Sequence, residues 1–135
     1  MNILSIQSEV AYGHVGNAAA RFALQRLGHV VGALPTVILS SHAGHPGFAG
    51  EATSLALLAK LIDALEAQGR LADCHGVISG YLGSSEQAEL VADAVRRTKA
   101  ANPKARDCLE PAFGDDGRIY ARPGVAEAMA ERLLP

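Results

Sequence analysis

Gln7-Ser8-Glu9-Val10-Ala11-Tyr12-Gly13-His14-Val15-Gly16-Asn17 crowds a hydroxyl, a phenol, an imidazole and an amide between an apolar run and an Ala-rich segment. Such groups serve hydrogen bonding to a small polar ligand. Asn2-Ile3-Leu4-Ser5-Ile6 reads as a buried parallel strand, and in open α/β sheets ligands collect outside the carboxyl ends of such strands. Gly13 and Gly16 allow a sharp reversal, and Asn17 is placed to cap the helix that follows. A second cluster, Ser79-Gly80-Tyr81-Leu82-Gly83, ends another strand at the same sheet edge. There an aromatic either stacks on a flat heteroaromatic ring or simply seals the end of the sheet. A third, Ser40-Ser41-His42-Ala43-Gly44-His45, reads as a polar loop; two imidazoles alone fall short of the three or four ligands of a transition-metal site.

These residues need a scaffold that alternates strand and helix, and the apolar pattern supplies one. Ala18 to Leu27 reads as a helix stopped by Gly28, and His29 to Leu34 as a second strand, completing a strand-helix-strand unit. Leu58, Leu61, Ile62 and Leu65 recur at helical spacing between Ser54 and Gln68. Gly76 to Gly80 is a short central strand. Ser84 with Gln87 has the form of a capping box ahead of Leu90, Val91, Ala94 and Val95, and Asn102-Pro103 stops that helix. Cys108-Leu109 leads into a strand end at Glu110-Pro111. A Gly114-Asp115-Asp116-Gly117 turn, an extended Arg118-Ile119-Tyr120 and a helix from Pro123 to Leu134 follow. In that turn Asp115 reads locally as a solvated turn residue. The expectation is one α/β domain over residues 1–135, an open and mostly parallel sheet with helices on both faces.

Composition narrows the function classes. The 135 residues are 49% hydrophobic but only 4% aromatic, so the core is expected to be aliphatic helices packed on strands. A formal charge of −2 gives no electrostatic reason to expect nucleic acid or an anionic membrane. No apolar run approaches the roughly 20 residues that span a bilayer, which points to a cytoplasmic protein. Cys74 and Cys108 have no short-spaced partner and read as inert packing residues in a reducing compartment. Neither a Gly-x-Gly-x-x-Gly after the first strand nor a Walker-type Gly-Lys-Ser/Thr is present, which argues against a generic nucleotide-binding domain.

Taken in order, the motifs resemble pyridoxal kinases of the ribokinase superfamily. Gln7-Ser8 followed by Tyr12-Gly13-His14-Val15-Gly16-Asn17 is similar to the opening of that family, and fits it better than the sibling hydroxymethylpyrimidine kinases. Gly80-Tyr81 is similar to its Gly-Tyr motif, whose tyrosine covers the pyridine ring. Thr36-Val37-Ile38-Leu39-Ser40-Ser41-His42-Ala43 is similar to its Thr-Val-x-x-Ser-Asn-His-Thr wall, with Ser41 and Ala43 in place of Asn and Thr. Glu110-Pro111-Ala112-Phe113-Gly114-Asp115 is similar to its Asp-Pro-Val-x-Gly-Asp segment near the ATP phosphates and magnesium, with Glu110 for Asp.

The resemblance implies a ribokinase-like fold truncated to the N-terminal half, and ATP-dependent phosphorylation of the 5′-hydroxyl of pyridoxal. It implies a vitamin B6 site made of Ser8, Val15, His42, Ala43, Gly44 and Tyr81, with Glu110 and Asp115 toward ATP and Mg2+. The longer Glu110 side chain displaces its charge by about 1 Å relative to Asp and disturbs octahedral magnesium geometry. The Gly-x-Gly-Asp turn that carries the family's catalytic base is not among these residues. The isolated chain is therefore expected to be inactive, needing a complementing C-terminal half. The alternative is a non-catalytic fragment retaining a pyridine-binding or dimerisation surface. Loss of half the family's sheet also leads to the expectation of a homodimer formed over exposed apolar surface.

Overall fold

A computed structural model describes residues 1–134. Its elements are β1 (Asn2–Val10), α1 (Gly16–Arg26), β2 (Val30–Leu39), β3 (Gly50–Ala52), α2 (Leu55–Ala67), β4 (Gly76–Ser79), α3 (Glu86–Ala101), β5 (Arg106–Leu109), β6 (Gly114–Asp115), β7 (Arg118–Ile119) and α4 (Val125–Arg132). Five strands make one sheet in the order β3-β2-β1-β4-β5, and β6 with β7 forms a separate hairpin. The pairs β1–β2, β1–β4 and β4–β5 are parallel, whereas β3 adds to β2 antiparallel.

Handedness then determines which face each helix covers. The chain steps from β1 to β2 in one direction, and from β2 past β1 to β4 and on to β5 in the other. Right-handed crossovers consequently send α1 to one face and α2 and α3 to the opposite face. The main core forms on the second face, where Leu4, Ile6, Leu34 and Val77 meet Leu58 and Ile62 of α2, Val91 and Ala94 of α3, and Val125 and Met129 of α4. Helices therefore lie on both faces, as expected. The reversal of winding at β1 opens a crevice at the carboxyl ends of β1 and β4.

Several local expectations are corrected. β1 runs through Ser8 to Val10, so Ser8 stands on the strand and not in the turn beyond it. β2 continues through Pro35 to Leu39, because only its last residues pair with β3 and Pro35 needs no partner on that side. β3 itself carries no period-2 pattern that would announce it. Asn17 does not cap α1; it lies inside the helix, fully buried, and its Nδ2 donates to the carbonyls of Gln7 (3.0 Å) and Leu34 (3.4 Å). Its amide thereby ties α1 to both β1 and β2. Ser84 and Gln87 form no capping box, since α3 starts at Glu86 and Gln87 turns inward. Ser54 does cap α2, accepting from the Leu57 amide at 3.2 Å. Cys74 is buried, but Cys108 is exposed on β5, the outermost strand, and is not a packing residue. Phe22, Leu27, Val30 and Ile38 are all exposed.

Because Asn17 serves two backbone acceptors from a fully buried position, Asn17→Ala removes a donor from both carbonyls. Urea unfolding of that variant is expected to show a loss of about 1–3 kcal/mol, whereas Phe22→Ala on the exposed side of the same helix changes stability by no more than about 0.5 kcal/mol.

Candidate functional site

The carboxyl ends of β1, β2, β4 and β5 each deliver residues to one cavity of about 440 Å³. β1 contributes Gln7, Ser8 and Val10, and the following turn His14 and Val15. The loop after β2 brings His42 and Ala43, the loop after β4 brings Tyr81, and the end of β5 brings Glu110. Helix α1 closes one side with Ala19, Ala20 and Ala23. Small side chains on that face keep the cavity open where larger ones would fill it.

Close backbone approach makes the floor possible. Gly16 has φ +54°, and a Cβ there would overlap Oγ and the carbonyl of Ser8. Gly80 is tight for a milder reason, since its Cβ would lie 2.6 Å from Oε1 of the Gln7 side chain. Gln7 is buried and its Nε2 donates to Oγ of Ser5 at 2.8 Å, which orients the amide along the strand. Ser8 is nearly buried beside it. Its hydroxyl can both donate and accept at the cavity floor.

The sequence-derived candidates divide between two basins. Ser8, Val15, His42, Ala43, Tyr81 and Glu110 line the cavity just described. Gly44 and Asp115 instead line a shallower adjoining basin, together with His42, His45, Asp116 and Arg118. Tyr120, which lines both, escaped the sequence reading. The β6–β7 hairpin carries it back over the site, and its ring lies 5.2 Å from that of His42 and 5.9 Å from that of Tyr81. His42 also meets His45 edge to face at 5.6 Å. An aromatic arc thus borders the opening, built from three separate loops. Its only sequence signal was an aromatic just after a Gly-Asp-Asp-Gly turn.

Charge is distributed unevenly between the basins. Among residues lining the more enclosed cavity, Glu110 is the only Asp, Glu, Lys or Arg. Burial pushes the Tyr81 phenol above its ordinary value, opposed by Arg122. For Tyr120 burial acts in the same direction, reinforced by Asp115, Tyr81 and Glu110. Both phenols are therefore protonated donors at neutral pH. Among the described residues no three His, Cys, Asp or Glu side chains converge as a closed metal cage.

No family-level sequence model matches the chain. Individual proteins do. Pyridoxal kinase PdxY of Rubrobacter xylanophilus is 44% identical over 136 residues, covering 100% of this chain and 47% of the relative. Pyridoxal kinase PdxY of Deinococcus radiodurans is 45% identical over 135 residues, covering 99% and 45%. Among solved structures, pyridoxal kinase from Leishmania donovani in complex with ADP and pyridoxamine superimposes with a TM-score of 0.92 at 38% identity, covering 98% of this chain and 46% of that one. Pyridoxal kinase from Entamoeba histolytica gives a TM-score of 0.91 at 28% identity, covering 96% and 46%. The chain spans about half the length of the relatives it matches.

The tyrosine environment has a pH consequence. A phenol whose folded value is raised holds its proton after the unfolded chain has lost it, so stability falls as pH rises beyond about 10. Thermal unfolding followed across that range is expected to show this decline, and Tyr81→Phe to make it shallower. By sequence and by fold, the chain corresponds end to end to the N-terminal half of a pyridoxal kinase with the ribokinase-like architecture.

Proposed function

We propose that this chain forms the vitamer-binding half of an ATP-dependent kinase that phosphorylates the 5′-hydroxyl of pyridoxal. One observation carries the reading: Ser8, Tyr81 and the His42–Ala43 wall, far apart in sequence, line a single cavity at the point where the sheet reverses its winding. In this reading a pyridine ring lies against Tyr81 with Ser8 holding a polar ring atom, and Val15, Ala43 and the small face of α1 supply apolar contact. Tyr120 borders the same opening and adds a second aromatic neighbour. Ala43 offers no hydroxyl to the ring substituents, so contact there falls to the backbone of Ala43 and Gly44.

A nucleotide is proposed on the side of the hairpin basin, where Asp115 stands beside Arg118 and both imidazoles. Magnesium bound to phosphates needs only one or two protein carboxylates, and takes its remaining ligands from phosphate and water. Asp115 and Glu110 are the carboxylates offered by this half. Phosphoryl transfer itself rests on positioning and on charge stabilisation around the transferred group, together with a residue that takes the alcohol's proton. The cavity supplies ring positioning alone. A complementing C-terminal half, or a second copy over the exposed Phe22, Leu27, Val30 and Ile38, is the proposed partner. A cytoplasmic setting is proposed with it; no helix among the described residues is long and apolar enough to cross a membrane.

Two measurements test this. Titration with pyridoxal is expected to show binding that Tyr81→Ala weakens by about 1–3 kcal/mol; identical isotherms for parent and variant would remove Tyr81 from the site. Incubated with ATP, magnesium and pyridoxal, the 135-residue chain alone is expected to make no pyridoxal phosphate, and turnover by the purified chain would refute its dependence on a second half.

A further inference from the structure

Gln87, whose side chain was expected to cap a helix, is almost wholly buried and fully hydrogen-bonded instead. Its Oε1 accepts from the Gly83 amide at 2.8 Å. Its Nε2 donates to the carbonyls of Thr36 at 3.0 Å and Thr53 at 2.8 Å. Thr36 is equally buried, and its Oγ1 donates to the Tyr81 carbonyl at 2.6 Å. The knot is completed by the Thr53 amide, which donates to the Thr36 carbonyl at 2.9 Å, and by Oγ1 of Thr53, which donates to the Pro35 carbonyl at 2.6 Å.

Every bond in this set ends on backbone of β2, of the segment joining β3 to α2, or of the loop carrying Tyr81. That loop is held directly after its aromatic: Thr36 donates to the Tyr81 carbonyl, and Gln87 accepts from the Gly83 amide two residues on, while the Gly80 amide before it donates to the Ile6 carbonyl at 3.1 Å. Leu82 between them is fully buried. Gly83 packs so closely that a Cβ would come 2.6 Å from Cγ1 of Val37 and 2.7 Å from Cβ of Ala52. None of Thr36, Thr53 or Gln87 lines the cavity. Yet β2, which they clasp, runs on into the loop bearing His42 and Ala43. One buried polar knot therefore registers the tyrosine against the opposite wall.

We infer that Thr36 and Gln87 are positioning residues: they set where the Tyr81 ring stands relative to the His42–Ala43 wall, and thereby how well a flat ring is held between them. The inference rests on the proposed reading of the cavity as a pyridine site. Apolar replacements at either position would leave buried backbone groups unpaired, and the loop can recover them only by shifting. A shift of that loop moves Tyr81.

A double-mutant cycle separates this role from general support of the fold. Thr36→Val, which keeps the side chain's shape and removes only the donor to Tyr81, is expected to weaken pyridoxal binding about tenfold while unfolding remains cooperative. Thr36→Ser, which keeps the donor, is expected to bind like the parent. In a Tyr81→Ala background, Thr36→Val is expected to cause no further loss; losses that simply add overturn the inference. Should Thr36→Val not fold, Gln87→Glu keeps the acceptor for Gly83, removes both amide donors, and is put through the same cycle. A ligand-free readout stands beside the titrations. The NOE between the Tyr81 and Tyr120 rings is expected to weaken in Thr36→Val and persist in Thr36→Ser, and an unchanged NOE in both overturns the inference. If the parent binds no pyridoxal, the pyridine-site reading falls, and the ring NOE alone decides whether Thr36 positions Tyr81.

Discussion

The contact between Ser8 and Gly16 is the constraint on which the site depends. β1 does not stop where the apolar run ends; it carries Gln7 and Ser8 onward as strand, and α1 must begin directly against them. Only a residue without a Cβ can occupy that first helical position, because any side chain would overlap the hydroxyl and carbonyl of Ser8. Gly80, directly after β4, leaves room for the Gln7 side chain. Two glycines thus leave a serine hydroxyl and a glutamine amide at the floor of a cavity. The alanines of α1 extend that economy up one wall.

The two faces of the sheet divide the labour. Behind β1, Leu4 and Ile6 join an aliphatic core with α2, α3 and α4. On the other side, the alternate residues Ser5 and Gln7 and the helix residue Asn17 are polar, buried and engaged in specific hydrogen bonds. Apolar burial is non-directional and tolerates small displacements, so it suits the face that supplies stability. Buried polar groups are costly unless their partners are in place, which makes them sensitive to position. That sensitivity suits a face whose task is to hold a ligand-sized space open.

Much of this architecture was legible in the residues. The helical spacing of Leu58, Leu61, Ile62 and Leu65 between Ser54 and Gln68 located α2, and the structure adds that Ser54 caps it. The four short motifs, each at a strand end, located loops that the fold gathers at one edge. What escaped was tertiary in origin. Asn17 and Gln87 each have the local form of a helix-terminal residue, yet each spends its amide on strands distant in sequence, and no local pattern encodes that choice. The second strand reads only to Leu34 in the sequence, although it runs on through Pro35, a residue normally excluded from a central strand. It survives here because β3 pairs only with the residues beyond it. Tyr120 stayed hidden because its place follows from the reversal at β6–β7, which returns it to His42 and Tyr81.

The partition of charge between the two basins bears on what the site can hold. The more enclosed cavity is lined by small aliphatic groups, two protonated phenols, a hydroxyl, an amide and the imidazoles of His14 and His42, with Glu110 as its one carboxylate. Recognition there must come from shape, stacking and a few directed hydrogen bonds, since little net charge is available to attract an ion. The adjoining basin is more open and more charged: Asp115, Asp116 and Arg118 stand on its exposed hairpin. Under the proposed reading, the vitamer takes the first basin and the nucleotide with its cation the second. Tyr120 and His42 border both, so the two basins join at the aromatic arc, and the Tyr81 of that arc sits on the loop that Thr36 and Gln87 bond.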